Sequence, residues 1–359
     1  MRERERKYLN GRFKDYYRRN DIELPPEHGK REWGYVPWSE TRMIRHLSYF
    51  DMGNNLKNYL SGKGPHSVFF SCAKYEDPGR GTMDEKGWIG ADLIFDIDAP
   101  EIPSVKKSDS KLEQLNKAKE ETIKLLDFLK NDMGFTDYQI VFSGGKGFHV
   151  HIRNSEVQKL ESPERDELTY YLNPDNLSVK ELLRKESNDS LRVNPACYGW
   201  IDRFYKDYVN RIRWLREKNE KELEQYLSSF EEDYDVDEVL SNLKMDKTIL
   251  GEIEEESFIY KEADRVLQKT LQDRRVSIDQ PVTRDTRRLI RLPGSLHGGS
   301  GLKTTKIDEE DLEDFRPLTD PIPESFMGSS DLKLEIIENS EYQLNGKNES
   351  LEEGDIIEV

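Results

Sequence analysis

The chain has 359 residues, of which 35 % are apolar and 35 % are charged, and its net charge is −17 at pH 7. This length can bury a large core, and an aromatic content of 10 % argues against disorder throughout. No run of 18 apolar residues occurs, and the first residues, MRERERKYLNGRF, are too polar for a secretory signal. Only two cysteines are present, Cys72 and Cys197, which excludes a disulfide scaffold, so we expect a cytoplasmic protein with no membrane partner.

The negative charge is concentrated at the C-terminal end of the chain. Residues 308–359 hold 17 acidic and 3 basic residues, so residues 1–307 carry a net charge of only about −3. Residues 1–19 hold eight Lys or Arg against three Asp or Glu, and residues 284–303 hold five basic residues against one acid. We interpret this as a nearly neutral body with basic patches and an acidic tail. The tail is a solvated face that aids solubility, an adaptation to a salty cytoplasm, or a site for a partner; the sequence leaves these alternatives open.

Hydrophobic patterns predict mixed secondary structure along the chain. Apolar residues at helical spacing indicate an amphipathic helix over 110–131, and Ser162-Pro163 begins a helix that ends at Leu172. Residues 1–60 are predicted to be mainly helical with an extended break at 35–37, and residues 175–270 form a charged, helix-rich insertion. Strands are predicted at 66–72, 91–98, 139–142, 148–152, 276–282, 334–337 and 356–359.

Strands mixed with helices and interrupted by a helical arm predict an α+β, or mixed α/β, fold. We expect a catalytic α/β core from 1–154 and 271–307, a helical insertion at 155–270, and an acidic, β-rich tail at 308–359.

The segment Phe95-Asp96-Ile97-Asp98 places two acids at the end of an apolar strand. Residues two apart on a strand share a face, roughly 6.6 Å apart at the backbone, so Asp96 and Asp98 project together. Such a pair is costly to desolvate unless a cation lies between the two carboxylates. The motif is therefore typical of a metal site for phosphoryl transfer, although on its own it also fits two acids that face water.

The segment 143–147, Ser-Gly-Gly-Lys-Gly, joins two predicted strands. Its glycines permit positive φ and a close approach of a ligand, and its successive amides can form an anion-binding nest. Lys146 adds a charge, and His149 and His151 share a face of the outgoing strand. The hairpin could cradle a triphosphate; the alternatives are a plain glycine hairpin with two exposed histidines, or a metal site for which no third ligand is evident.

A basic segment follows Asp279, which is predicted to lie on a short strand. Arg291, Ser295 and His297 could converge on the same triphosphate, since arginine grips phosphate with two donors. A solvated basic helix followed by a turn is the alternative interpretation, and Asp285 is a rival to Asp279 as an acidic ligand.

Taken together, these segments resemble the small, catalytic subunit of the archaeal/eukaryotic-type DNA primase. The order of motifs is the family's: a strand with two aspartates, a serine-glycine hairpin that leads to a histidine, and a third aspartate followed by RLIRLPGSLHG. Residues 31–35, 43–46 and 73–78 also resemble N-terminal landmarks of the family. The resemblance extends from about residue 10 to 305.

The resemblance implies a fold and roles for individual residues. The fold is a primase-type catalytic core with an RRM-like sheet and an inserted helical subdomain. Asp96, Asp98 and Asp279 are implied to be catalytic carboxylates that bind Mg²⁺ or Mn²⁺. The residues implied to bind the nucleotide are Ser143, Lys146, His149, Arg291 and His297, with Arg45 as a further candidate.

The implied function is synthesis of short primers on single-stranded DNA for DNA replication, by two-metal nucleotidyl transfer from nucleoside triphosphates. This is the activity of a DNA-directed RNA polymerase of the primase type. The implied partner is a large primase subunit that carries an iron–sulfur cluster. A nearly neutral body should bind template poorly alone, because affinity for nucleic acid depends on neutralised phosphates.

Two departures from the family pattern affect these expectations. The family commonly has a Cys/His zinc knuckle after its first motif, but residues 99–138 contain neither Cys nor His, so we predict no structural zinc site. The family often has His-Gly-Lys in its last motif, whereas Gly298 and Gly299 follow His297 here and Lys303 is a candidate for the missing charge.

Three other functions remain open from the sequence. A repair polymerase of the primase–polymerase superfamily shares the catalytic motifs. A non-catalytic nucleotide-binding or scaffold protein could have the same fold, and a metal-dependent phosphohydrolase is the weakest alternative.

Overall fold

The structure of the chain is a computed structural model. The residues it describes are 2–40, 42–175, 177–182, 199–244, 257–326, 333–335, 340–344, 347–352 and 354–358. The chain divides into two compact units, Met1–Pro321 and Ile322–Val359. The boundary lies at Pro321 and not at Asp308, because Leu312 and Phe315 are buried against the first unit, where Phe315 contacts Phe142.

The described part of the chain contains ten α-helices, most of them in its middle third. They are α1 (Glu3–Arg19), α2 (Leu56–Lys63), α3 (Lys111–Asn131), α4 (Ser162–Leu172), α5 (Val179–Leu182), α6 (Trp200–Arg216), α7 (Glu220–Leu227), α8 (Val236–Lys244), α9 (Phe258–Arg274) and α10 (Gln280–Arg284). Six of them, α4 to α9, lie between Ser162 and Arg274.

The strands of the first unit form two four-stranded sheets and one hairpin. They are β1 (Trp33–Val36), β2 (Ile44–Leu47), β3 (Ser67–Ser71), β4 (Ala73–Tyr75), β5 (Trp88–Ala91), β6 (Leu93–Asp98), β7 (Tyr138–Phe142), β8 (Gly147–Ile152), β9 (Leu289–Arg291) and β10 (Thr305–Ile307). The first sheet has the order β2-β1-β3-β9, the second has the order β10-β7-β8-β6, and β4 pairs with β5.

The second unit contains short antiparallel strands. They are β11 (Lys333–Glu335), β12 (Ser340–Leu344), β13 (Lys347–Leu351) and β14 (Ile356–Glu358). Strand β11 pairs with β14, and β12 pairs with β13. The two strands predicted in this region are thus found, although residues 336–339 and Val359 lie outside the described residues.

The two faces of the second sheet have different chemistry. Phe95, Ile97, Phe148 and Val150 point into the main hydrophobic core, which also contains the buried leucines of α3 and the inner faces of α6 and α9. Alternate residues of β6 and β8 point toward the first sheet, where the ring of His151 stacks on Phe70 of β3 at 6.4 Å between centroids. The helical layer therefore covers one face of this sheet, and polar side chains occupy the other.

The predicted mixed α+β fold is confirmed, and the strongest patterns gave the correct elements. Helix α3 begins after Ser110, whose hydroxyl accepts a hydrogen bond from the Glu113 N–H in a capping box. Gly134, with φ of 71°, follows its end. Helix α4 also lies where it was predicted, except that Glu161 and not Ser162 is its capping residue.

Two predictions of secondary structure were wrong. Residues 1–60 are not mainly helical, because β1 and β2 lie between α1 and α2. Strand β1 pairs with β3, with Trp33 opposite Phe70, and β2 pairs with β1. A local pattern does not reveal a partner as far along the chain as β3. Residues 276–282 do not form a strand: Val276 and Ile278 are buried in extended backbone, and Pro281 then lies in the first turn of α10.

A buried ion-pair network joins the two sheets. The Asp92 carboxylate is fully buried just before β6 and accepts two hydrogen bonds from Arg31, at 2.9 and 3.1 Å, and one from Arg153 at 3.2 Å. Arg31 also donates to the carbonyls of Ser71 and Cys72 at the end of β3. Since every charge in this network has a partner, it fixes the second sheet against the first.

Replacing Asp92 by Ala should therefore destabilise the protein by about 3–5 kcal/mol, because two guanidinium groups would stay in the interior without their carboxylate. Urea unfolding measures this loss. The matched control is Asp77→Ala, which breaks the exposed Arg80 ion pair and should cost less than about 1 kcal/mol. Similar small losses in both variants would contradict the structural role of Asp92.

Candidate active site

The two aspartates of β6 lie opposite the hairpin strand β8. Asp96 pairs in register with His149, and Asp98 pairs with Gly147. A Cβ on Gly147 would lie only 1.7 Å from the carbonyl oxygen of Ile97, so no side chain fits between the strands at this position. The pairing thus holds both acids and His149 on the polar face of the second sheet.

The third aspartate reaches this face through its backbone. The Asp279 N–H donates to the Asp96 carbonyl oxygen at 2.8 Å, and Asp279 is also the N-cap residue of α10. This hydrogen bond places the start of α10 beside β6 although the two segments are far apart in sequence. Asp279 is therefore brought to the pair without being part of a strand.

Burial and mutual repulsion make the two strand carboxylates difficult to ionise. Burial, with repulsion from Asp279, raises the pKa of Asp96 to about 7. Burial, with repulsion from Asp96, raises the pKa of Asp98 to about 6. No lysine or arginine in the described part of the chain hydrogen-bonds to any of the three carboxylates, so the cluster favours a cation.

The residues present suit a hard divalent ion, which prefers oxygen ligands. The Asp96 Oδ1 atom is buried without a hydrogen-bond partner, and His149 Nε2 lies 3.3 Å away from it. Within the described ranges, no group of three His, Cys, Asp or Glu side chains already has the spacing of a complete metal-ligand set. The backbone thus brings the acids together, and their side chains must still converge on an ion.

The glycine-rich turn is organised around Ser143. Its hydroxyl oxygen accepts hydrogen bonds from the N–H groups of Gly145 and Gly147, at 3.3 and 3.2 Å. These two N–H groups therefore point at the serine hydroxyl and do not form an open anion-binding nest. A hydroxyl that accepts two bonds still has its own proton to donate, and that proton is available to a ligand.

His297 packs directly on this turn. A Cβ at Gly144 would lie 2.9 Å from the His297 Cβ, and a Cβ at Gly145 would lie 2.7 Å from its Nε2. Gly144 also has a φ of 78°, which side chains rarely adopt. The turn therefore needs both glycines to bring the histidine of the downstream segment against the hairpin.

Arg291 provides a partly buried cation on β9. Its Nη1 has no hydrogen-bond partner, its guanidinium lies 4.9 Å from the centroid of the Phe69 ring, and burial lowers its pKa to about 10. Burial also lowers the pKa of His149 and of His297 to about 4, with the charge of Arg291 adding to the shift. At neutral pH the site thus has a charged arginine and two neutral imidazoles.

The chain is similar to known proteins over most of its length. Residues 95–308 match the family model for the DNA primase small subunit. The DNA primase small subunit of Halobacterium salinarum is 40 % identical over 97 % of this chain and 92 % of its own length. That of Haloarcula marismortui is 38 % identical over 99 % and 94 %, and that of Methanococcoides burtonii is 37 % identical over 97 % and 93 %.

The chain belongs to the DNA primase small-subunit family. The resemblance stated from the motifs is confirmed, and the matched region begins at Phe95, next to the first catalytic candidate. No helix in the described part of this family member is long and apolar enough to cross a membrane.

Two nucleotide-binding candidates of this primase-family chain have partners of their own. The Ser295 hydroxyl is buried and donates to the Leu292 carbonyl at 2.6 Å, which stabilises the turn after β9. Arg45 Nε donates to the buried Glu32 carboxylate at 2.9 Å, and Lys86 bonds to the same carboxylate. Their roles in nucleotide binding stay predictions, as does that of Lys146, which is exposed at the hairpin tip.

Sequence reasoning missed three residues that face the site. Burial lowers the pKa of Lys111, the first residue of α3, and the nearby charge of Asp98 partly offsets this shift. The charge of Lys111 also contributes to the lowered pKa of His297. His66 is close to Arg291 and lies against Gly298, where a Cβ would be 2.3 Å from its ring. Arg288 lowers the pKa of Asp96. Only Arg288 had a sequence signal, the basic run at 284–303.

The absence of a structural zinc site stays a prediction. Cys72 is a free, buried cysteine of the first unit, and burial raises its pKa to about 12. Cys197 lies outside the described residues.

Replacing Asp96 by Asn should stabilise the metal-free protein at alkaline pH. Between pH 4 and 7 the folded chain binds more protons at Asp96 than the unfolded chain does, so this carboxylate lowers stability as pH rises. Its removal should add at most about 4 kcal/mol at pH 8 and progressively less toward pH 4. Thermal unfolding in chelator measures the difference.

The control is Asp314→Asn, at an exposed position of the same unit, which should show no such pH-dependent gain. A gain at pH 8 that is equal in both variants, or absent from Asp96→Asn, would contradict the electrostatic cost assigned to the carboxylate cluster.

Proposed function

We propose that this chain is the catalytic subunit of a DNA primase and synthesises short primers on single-stranded DNA by two-metal nucleotidyl transfer. One observation carries the proposal. The backbone brings Asp279 to the Asp96–Asp98 pair, and the raised pKa values of Asp96 and Asp98 mark a cluster that needs added positive charge. Family membership supports the same function.

In this proposal, Asp96, Asp98 and Asp279 hold Mg²⁺ or Mn²⁺. When bound, such ions lower the pKa of an attacking 3′-hydroxyl and neutralise a triphosphate and its leaving pyrophosphate. The carboxylates gain most from ionisation when a cation is present, which couples site formation to ion binding.

The remaining residues position the nucleotide. Arg291 offers an unpaired N–H to a phosphate oxygen, and its guanidinium keeps its charge at neutral pH. Ser143 offers its hydroxyl proton, and His149 and His297 act as neutral hydrogen-bonding groups. Lys146 adds an exposed charge at the tip of the hairpin. The protein thus contributes orientation and preorganised charge more than covalent chemistry.

A large primase subunit with an iron–sulfur cluster is the proposed partner, and nucleoside triphosphates and single-stranded DNA are the proposed substrate and template. The weak net charge of the body supports a need for help in template binding, since each neutralised phosphate contributes to affinity. The proposed specific class is a DNA-directed RNA polymerase of the primase type.

Asp279→Asn should reduce dinucleotide synthesis on unprimed single-stranded DNA by roughly 100-fold or more. The substitution removes a proposed ligand of the divalent ions that stabilise negative charge in the transition state. The control is Asp285→Asn. Asp285 Oδ1 accepts a hydrogen bond from the Arg287 N–H on the same loop, so replacing Asp285 should leave most of the activity.

Synthesis is measured with Mg²⁺ and with Mn²⁺. Loss of activity only in Asp285→Asn would select the rival ligand. A wild-type chain that extends primers but never starts them would favour the repair polymerase, one that only hydrolyses nucleotides would favour the phosphohydrolase, and one that binds nucleotide without any turnover would favour the scaffold.

A further inference from the structure

Three arginines lie close together in sequence at the end of α10 and on the loop that leads to β9, and only Arg284, the last residue of α10, is paired. Arg284 Nε lies 3.3 Å from the Asp166 carboxylate of α4. The side chains of Arg287 and Arg288 are exposed and form no hydrogen bond or ion pair with any residue that the structure describes. Two adjacent cations are therefore available at this loop.

The backbone that carries Arg287 and Arg288 is fixed on both sides. The Arg287 N–H donates to Asp285 Oδ1 at 2.8 Å, and the Arg288 carbonyl accepts from the Cys72 N–H at 2.8 Å. Strand β9 then pairs with β3 at once, with Leu289 opposite Ser71. The loop thus presents the two guanidinium groups from a rigid base.

This loop lies at the edge of the carboxylate cluster. Helix α10, only five residues long, connects it to Asp279, whose N–H is bonded to Asp96. Arg288 is close enough to Asp96 and His149 to lower the pKa of each, and Arg287 lies near Tyr75 on β4. The two arginines therefore lead away from Asp96 toward the β4–β5 hairpin.

The glycine-rich hairpin and the arginine loop approach different members of the carboxylate pair. The hairpin that is proposed to hold the triphosphate lies beside Asp98, which pairs with Gly147, and the Ala99 N–H donates to the Lys146 carbonyl. The arginine loop follows α10, whose N-cap residue Asp279 donates its N–H to the Asp96 carbonyl. The Asp96 side is thus left for the strand that carries the attacking 3′-hydroxyl.

We infer that Arg287 and Arg288 bind backbone phosphates of the primer strand immediately upstream of its 3′ end. This inference rests on the proposed function, since it names a substrate site of the same reaction. Arginine forks bind phosphate oxygens with two donors, and such contacts position a strand without reading its sequence. The subsite is therefore specific for a nucleic-acid backbone and not for a base.

The test is binding of a short RNA primer annealed to a DNA template, measured over a range of salt concentrations. Arg287→Ala/Arg288→Ala should reduce the slope of log affinity against log salt by about 2, since each lost phosphate contact removes about 0.9. Affinity at a fixed moderate salt concentration should fall on the order of tenfold or more. Arg287→Lys/Arg288→Lys should restore most of the slope, because it keeps both charges.

The matched control is Arg274→Ala/Arg284→Ala. It removes the same charge from two exposed arginines that are already paired, with Asp207 and Asp166. It should leave the salt slope unchanged. Circular dichroism checks that every variant is folded. We expect this result because all the substituted side chains are exposed.

Binding of a fluorescent nucleoside triphosphate separates the strand subsite from the nucleotide site. The Arg287/Arg288 alanine variant should bind the nucleotide as the wild type does, whereas Arg291→Ala should bind it more weakly. An unchanged salt slope, an equal loss in the paired-arginine control, or a loss confined to nucleotide affinity would overturn the inference. If the wild type binds primed template but never adds a nucleotide, the proposed function fails, and the salt slopes still decide whether these arginines bind a strand.

Discussion

The central constraint in this structure is the burial of two strand carboxylates beside a third acid that repels them. Asp96 and Asp98 share a strand face, and a backbone hydrogen bond adds Asp279. Burial, with added repulsion between like charges, raises the pKa values of Asp96 and Asp98, and no lysine or arginine among the described residues hydrogen-bonds to either carboxylate. The fold thus maintains a site whose lowest free energy requires an ion from outside the chain.

Asp92 is a buried acid that, unlike Asp96, has arginine partners. It lies four residues before Asp96 and is also buried, but two arginines satisfy its carboxylate completely. One buried acid therefore joins the sheets, while the other is left without a partner for Oδ1. The difference is decided by the neighbouring strands: Arg31 and Arg153 converge on Asp92, whereas Asp96 is opposite a histidine that burial keeps neutral.

Much of the site could be predicted from the sequence because its elements are local. A period of two placed Asp96 and Asp98 on one face, and the run of glycines identified the hairpin. Asp279 was found through the family resemblance, but its predicted strand was wrong, since an N-cap residue followed by proline in extended backbone has the same local pattern as a short strand. Lys111 and His66 could not be predicted, because only tertiary packing brings the start of α3 and the end of the α2–β3 connection to the hairpin.

The roles of individual polar groups also depended on tertiary contacts. The residues 143–147 looked like an open nest of amides, yet the Ser143 hydroxyl already accepts two of those N–H groups. One interpretation of the hairpin left His149 and His151 exposed, but both are buried, and Phe70 of β3 stacks on the ring of His151. Charge and burial of this kind cannot be read from spacing along the chain.

The most direct test is crystallographic localisation of Mn²⁺ by its anomalous scattering, in crystals that also contain a non-hydrolysable nucleoside triphosphate. The account predicts two peaks about 3.5–4 Å apart among the carboxylates of Asp96, Asp98 and Asp279, with the triphosphate on the side of the hairpin and Arg291. Peaks elsewhere, such as on the acidic residues beyond Pro321, with none at this cluster, would contradict it.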